Sequence, residues 1–158
     1  MRYAIKVLGL VSVLVLSACG SEGGKDFGQF VGTWRATSGT VTRVCPDDDP
    51  YTEVLAGDIV WINGVSSDLV AKSPITPCRL KAVVTGATAS GVSGQGCTES
   101  DDAGGRVTVT LTSYMFVVSS DGLTAAEISS GQVTHEDHAS TKVCSFDETA
   151  SYGRAAGI

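Results

Sequence analysis

The sequence predicts an all-β domain: a small antiparallel β-barrel, or a β-sandwich, of about eight to ten strands. Three observations lead there. Alternating apolar and polar residues recur in short runs spaced about 8–12 residues apart. Gly, Asn, Asp and Pro clusters separate the runs, and no proline lies inside a strong one. Helical periodicity is almost absent. Ala125, Ala126 and Glu127 are helix formers, but Ser129, Ser130 and Gly131 interrupt them. A chain of 158 residues suits one domain, and 42% hydrophobic residues is too apolar for a disordered one. A net charge of −6 leaves no basic stripe to meet phosphates, so a nucleic-acid partner is not expected.

The N-terminus reads as an address. Arg2 and Lys6 precede an apolar stretch over residues 7–16, interrupted only by Gly9 and Ser12. It is too short for a comfortable membrane span and fits a secretory signal over residues 1–18. Its end, Leu16-Ser17-Ala18-Cys19, resembles the bacterial lipobox. The resemblance implies cleavage before Cys19, a diacylglyceryl group on its sulfur and acylation of the new α-amine. One acyl chain binds a membrane only marginally, and several hold for long. Gly20 stands where an aspartate commonly retains such proteins at the inner membrane, so the resemblance implies the outer membrane, with either face open. Loss of Arg2 and Lys6 takes the charge from −6 to −8. Residues 19–29 then form a lipidated N-terminus and tether, in which residues 20–25 are small and polar. Residues 30–158 form the single all-β domain.

Within that domain the strands are expected in order. Residues 33–38 precede Gly39, and 40–45 precede the Pro46–Pro50 acidic turn. Residues 51–55 and 58–62 flank Gly57, with Asn63-Gly64 as a tight turn; 67–71 is a weaker run. Residues 79–86 and 88–94 follow. The longest run, 106–118, sets Val107, Val109, Leu111, Met115 and Val117 on one face. Thr108, Thr110, Thr112, Tyr114 and Phe116 fall on the other. Asp121-Gly122 suits a type I′ hairpin turn into a strand over 123–129. Runs at 132–136 and 142–151 end the series.

Cysteine arithmetic follows from export. With Cys19 acylated, Cys45, Cys78, Cys97 and Cys144 remain, an even set suited to two disulfides. Three pairings are possible. Cys78–Cys97, closing a local loop, with Cys45–Cys144, tying the early chain to its end, is favoured.

Gly32-Thr33-Trp34 resembles the G-x-W motif that opens the first strand of lipocalin-like barrels. The resemblance implies that Trp34 plugs the barrel floor and that a late arginine, here Arg154, packs across it. The T-D-Y-type motif of that family is absent.

Candidate chemistry is sparse. His135-Glu136-Asp137-His138 reads as a solvated hairpin loop rather than a metal site, because i and i+3 face opposite sides of a strand. Asp47-Asp48-Asp49 and Asp101-Asp102 lack calcium-loop spacing. No nucleophile elbow or phosphate loop occurs. No enzyme activity, cofactor or metal is therefore expected. Trp61, Tyr114 and Phe116, with Trp34 and Arg154, are the candidate core or ligand-lining residues. Two functions fit. One is a lipid-anchored accessory or scaffold subunit of an outer-membrane, surface or motility assembly, acting by contact with an envelope protein. The other is a lipocalin-like carrier of a small apolar ligand.

Overall fold

The computed structural model describes residues 27–72, 79–100, 104–137 and 139–156. These form ten strands: β1 (Gly32–Val44), β2 (Tyr51–Val54), β3 (Asp58–Asn63), β4 (Leu69–Lys72), β5 (Arg79–Thr85), β6 (Thr88–Gly91), β7 (Gly96–Ser100), β8 (Arg106–Val118), β9 (Thr124–Glu136) and β10 (Thr141–Arg154). Eight of them follow one another around an antiparallel ring, β10-β9-β8-β6-β5-β4-β3-β1, and the pairing of β1 with β10 closes it. The architecture is a closed barrel, not a sandwich. Closure removes the exposed edges that a sheet of this length would otherwise present.

The ring is uneven. β1, β8, β9 and β10 run 13 or 14 residues, whereas β3 to β6 run four to seven. The short strands pair only with one end of the long ones: β3 with Gly32–Arg35 and β6 with Met115–Val117. At the other end the long strands rise beyond them. There β2 pairs with Thr40–Arg43 and β7 with Arg106–Thr110. The barrel therefore has a complete ring at its floor and a partial, flanked wall at its mouth.

Two bulges set which side chains enter the barrel. In β8 the register shifts between Leu111 and Ser113, leaving Thr112 as the extra residue. Val107, Val109 and Leu111 face inward before it; Tyr114, Phe116 and Val118 face inward after it. The uninterrupted alternation expected for 106–118 is thus corrected. Met115 and Val117 lie on the outside, because one extra residue inverts every later side chain. The second bulge, between Ala36 and Ser38, merges the expected 33–38 and 40–45 strands into β1. Likewise 123–129 and 132–136 are one strand, β9, running through Gly131. A Cβ on Gly131 would meet the Thr110 carbonyl oxygen and the Phe146 ring at 2.2 and 2.8 Å. A glycine there lets that ring lie across the strand.

Other expectations are corrected locally. β7 was not among the expected strands; its Gly96-Cys97-Thr98-Glu99-Ser100 run carries too little apolar alternation to announce itself. Asp121-Gly122 is not a type I′ turn. Gly122 alone has left-handed φ, +70°, and the loop spans Ser119 to Thr124, whose backbones hydrogen-bond at 2.9 Å. Asn63-Gly64 opens a longer loop in which the Gly64 N–H donates to Asp68 O. The packed chain also begins earlier than the expected boundary at residue 30. Phe27 packs against the core and Gln29 donates to Gly86 O at 2.8 Å.

Candidate functional site

The floor is built first, by the short ring. Phe30, Trp34, Ile59, Trp61, Leu69, Phe116 and Tyr152 are all fully buried there. Phe116 is at the centre, with ring centroids of Trp34, Trp61 and Tyr152 at 5.5, 5.5 and 5.6 Å. Tilted and edge-on ring pairs of this kind are favourable beyond their buried area. Trp34 Nε1 donates to Phe30 O at 2.7 Å, which seats a turn over residues 28–30 under the barrel. Arg154 lies across the same indole, 5.0 Å from its centroid. Its Nη2 donates to the carbonyls of Gly28 and Val31, both at 2.7 Å. Gly32, at φ +131°, passes beneath this guanidinium. Trp34, Trp61, Phe116 and Arg154 thus close the barrel rather than line a binding space.

An open space lies above them. A cavity of about 230 Å³ opens toward the mouth. Its walls are Val41, Leu80, Val107, Val109, Leu111, Val133 and Phe146, with Arg43, Arg79, Gln95 and His135 also on its lining. This is slightly below the roughly 300–1,000 Å³ of typical small-molecule sites. Of the aromatic candidates from the sequence, Tyr114 alone lines it.

At the inner end of the cavity, above the aromatic floor, three polar residues point inward: Glu127 (3% exposed), Ser129 and Glu148. Strand parity puts them there. Ala125, Glu127, Ser129, Gly131 and Val133 alternate inward on β9; Cys144, Phe146, Glu148, Ala150 and Tyr152 do so on β10. Burial disfavours the charged carboxylates. Glu127 is pushed up to about 8, first by desolvation and then by the neighbouring Glu148 charge. The Tyr152 and Tyr114 hydroxyls offset part of this. Glu148 is pushed up to about 7 by desolvation, offset by Ser129 and the Arg43 charge. Tyr114 is raised well above the usual phenol range by burial and then by the Glu127 charge. Although these hydroxyls lie near Glu127, neither Glu127 Oε2 nor Tyr114 Oη completes a hydrogen bond of good geometry.

Sequence reasoning missed Glu127, Ser129 and Glu148. The signal was available in β10, where the inward parity of Cys144 and Tyr152 carries Glu148 with it.

The mouth is stapled by Cys45–Cys144, whose Cα atoms are 4.2 Å apart across the β1–β10 seam. Cys97 is also disulfide-bonded. Cys78, its expected partner, lies outside the described residues, as do Cys19 and the lipobox. His135 sits on the cavity lining, while Asp137 accepts hydrogen bonds from Ala139 N and Ser140 N in the β9–β10 hairpin. Asp48 pairs with Lys142 beside the staple. His138, Asp101 and Asp102 lie outside the described residues. Among the described residues no group of three or more His, Cys, Asp and Glu side chains is placed to hold a metal ion. Compared with protein-family models, with curated proteins and with solved structures, the chain finds no match.

Proposed function

We propose that this protein is an exported, lipid-anchored binding protein that holds a small, largely apolar ligand inside its barrel, close to a membrane surface. The observation that carries the reading is the cavity: an apolar-walled space between a sealed floor and an unsealed mouth. A barrel that only presented its outer surface to a partner would gain stability by filling that volume, since unfilled apolar space forfeits packing contacts. The leader ending at Leu16-Ser17-Ala18-Cys19 supports the anchor. In this reading the protein carries or sequesters its ligand and performs no reaction on it.

The test is direct. The protein is purified from a bacterial host that exports it, extracted with organic solvent, and the extract analysed by mass spectrometry. A stoichiometric small molecule, lost when Val109→Trp fills the cavity, is the expected result. An empty barrel that crosslinks reproducibly to one envelope protein would instead favour a contact-acting accessory subunit. For the anchor, Cys19→Ala is expected to abolish acyl labelling and release the protein from the membrane fraction.

A further inference from the structure

From the buried Glu127 carboxyl group at the inner end of an apolar cavity, whose Oε2 completes no hydrogen bond, we propose that the ligand is an amphipathic amine whose ammonium docks on Glu127. The inference rests on the carrier reading and names the ligand's chemical class.

The argument begins with what a cavity of this kind leaves unsatisfied. Val41, Val109, Val133 and Phe146 need only an apolar body. A guest of benzene size occupies a cavity of about 150 Å³, so 230 Å³ accommodates a body of roughly ten heavy atoms. Glu127 needs something else. It is 3% exposed, and its Oε2 makes no hydrogen bond. A carboxylate with an idle oxygen in apolar surroundings is costly unless a donor, preferably a cation, meets it.

The surrounding charges do not supply one. On β8, Tyr114 presents a hydroxyl. On β10, Glu148 adds a second negative charge and Tyr152 another hydroxyl. On β1, Arg43 turns its Nη1 away, 3.5 Å from Glu53 and 3.3 Å from Tyr51 Oη; its buried Nε has no hydrogen-bond partner, and its charge acts on Glu148. Arg79 of β5 and His135 of β9 lie on the lining, both exposed. A carboxylate ligand would bring a negative charge to an end that already holds two carboxyl groups. An alcohol would supply a donor but no charge, and an ammonium supplies both. Because the empty site holds its proton at neutral pH, docking an ammonium releases that proton from Glu127 to solvent. Amine affinity therefore rises with pH up to about 8, while the ligand amine itself stays protonated.

The experiment compares n-octylamine, n-octanol and octanoate by calorimetric titration into the purified protein between pH 6 and pH 8.5. At pH 8 the amine is expected to bind at least about tenfold more tightly than the alcohol, a gap of about 1.4 kcal/mol, with octanoate weakest. Amine affinity is expected to climb with pH while alcohol affinity stays level. E127Q is expected to erase the amine preference and leave alcohol binding intact. Alcohol or octanoate binding as tight as that of the amine would overturn the amine proposal and leave the carrier reading standing. Binding of none of the three, up to millimolar concentration, would sink both. An E127Q protein that folds and keeps the preference would also refute the docking site. Should E127Q fail to fold, the wild-type amine-to-alcohol ratio and its pH slope decide alone.

Discussion

At the floor of the barrel, Phe116 meets three aromatic rings within 5.6 Å, and an arginine and a turn seal the space beneath. At the mouth, Phe146 meets Val41 and Val133 on one side and a cavity on the other. Both regions are built on the same four long strands. What differs is the rest of the wall. Four short strands complete the ring around the floor, and among the described residues only β2 and β7 flank the mouth. Burial is completed by side chains at one end and left incomplete, around the cavity, at the other. The floor is where stability should be concentrated, and the mouth is where it can be given up for binding.

The sharpest way to break this contrast is to truncate one apolar residue at each end. Trp34→Ala removes the plug and its hydrogen bond to Phe30 O, and is expected to cost about 3–5 kcal/mol in a urea melt. Val133→Ala borders space that already exists and should cost about 1 kcal/mol. Equal losses would mean that the two ends are packed alike. Next in size is the staple. Replacing Cys45 and Cys144 together by Ser opens a link between residues 99 apart and is expected to cost about 2–5 kcal/mol. Hydrogen exchange should then accelerate at the mouth ends of β1 and β10 and leave the floor protected. Acceleration at Trp34 and Tyr152 instead would show that the staple supports the whole barrel. Arg154→Ala should cost about 2 kcal/mol, because the carbonyls of Gly28 and Val31 lose their donor along with the cation–π contact. Arg154→Lys should recover only part of it, since one ammonium does not reproduce the guanidinium fork. Full recovery by lysine would reduce the contact to a simple charge.

The contrast also explains which parts of the molecule could be read from the residues alone. The all-β class followed from period-two patterning, and Gly32-Thr33-Trp34 with Arg154 pointed to a floor through the company those residues keep in other barrels. The mouth was harder. Thr112 gives no outward sign of being the extra residue in β8, so Tyr114 and Phe116 were placed on the wrong face relative to Val107. Glu127 reads as a helix former in a run that Ser129, Ser130 and Gly131 interrupt. Only the pairing of β9 between β8 and β10 fixes its direction. A bulge is a relation between two strands, and local patterning carries no record of it. Acidic side chains are almost always solvated, so composition argued against the very residues that define the cavity's inner end.

The effect most specific to the mouth is the response to pH. Glu127 in the folded chain holds its proton to about pH 8, whereas in the unfolded chain it releases it near 4.5. A carboxyl group raised in this way contributes its full stability below the unfolded value. That contribution is lost progressively as pH rises from about 4.5 to about 8, because the unfolded state ionises first. Above that range both states are ionised and the slope ends. Glu148 adds a parallel loss that is complete near pH 7. Wild-type stability is therefore expected to fall between pH 5 and pH 8.5, with hydrogen exchange rising first at Glu127 and Glu148 rather than at the aromatic floor. E127Q has no proton to lose there. It should match the wild type near pH 4.5 and exceed it increasingly as the pH rises toward 9. A wild-type curve that stays flat over this range would mean that the carboxyl is solvated in the folded protein. Glu127 would then be no more demanding of a cationic partner than any surface acid. If the curve falls and E127Q flattens it, the cost of keeping Glu127 inside the barrel has been measured at the end of the molecule that can return it on binding.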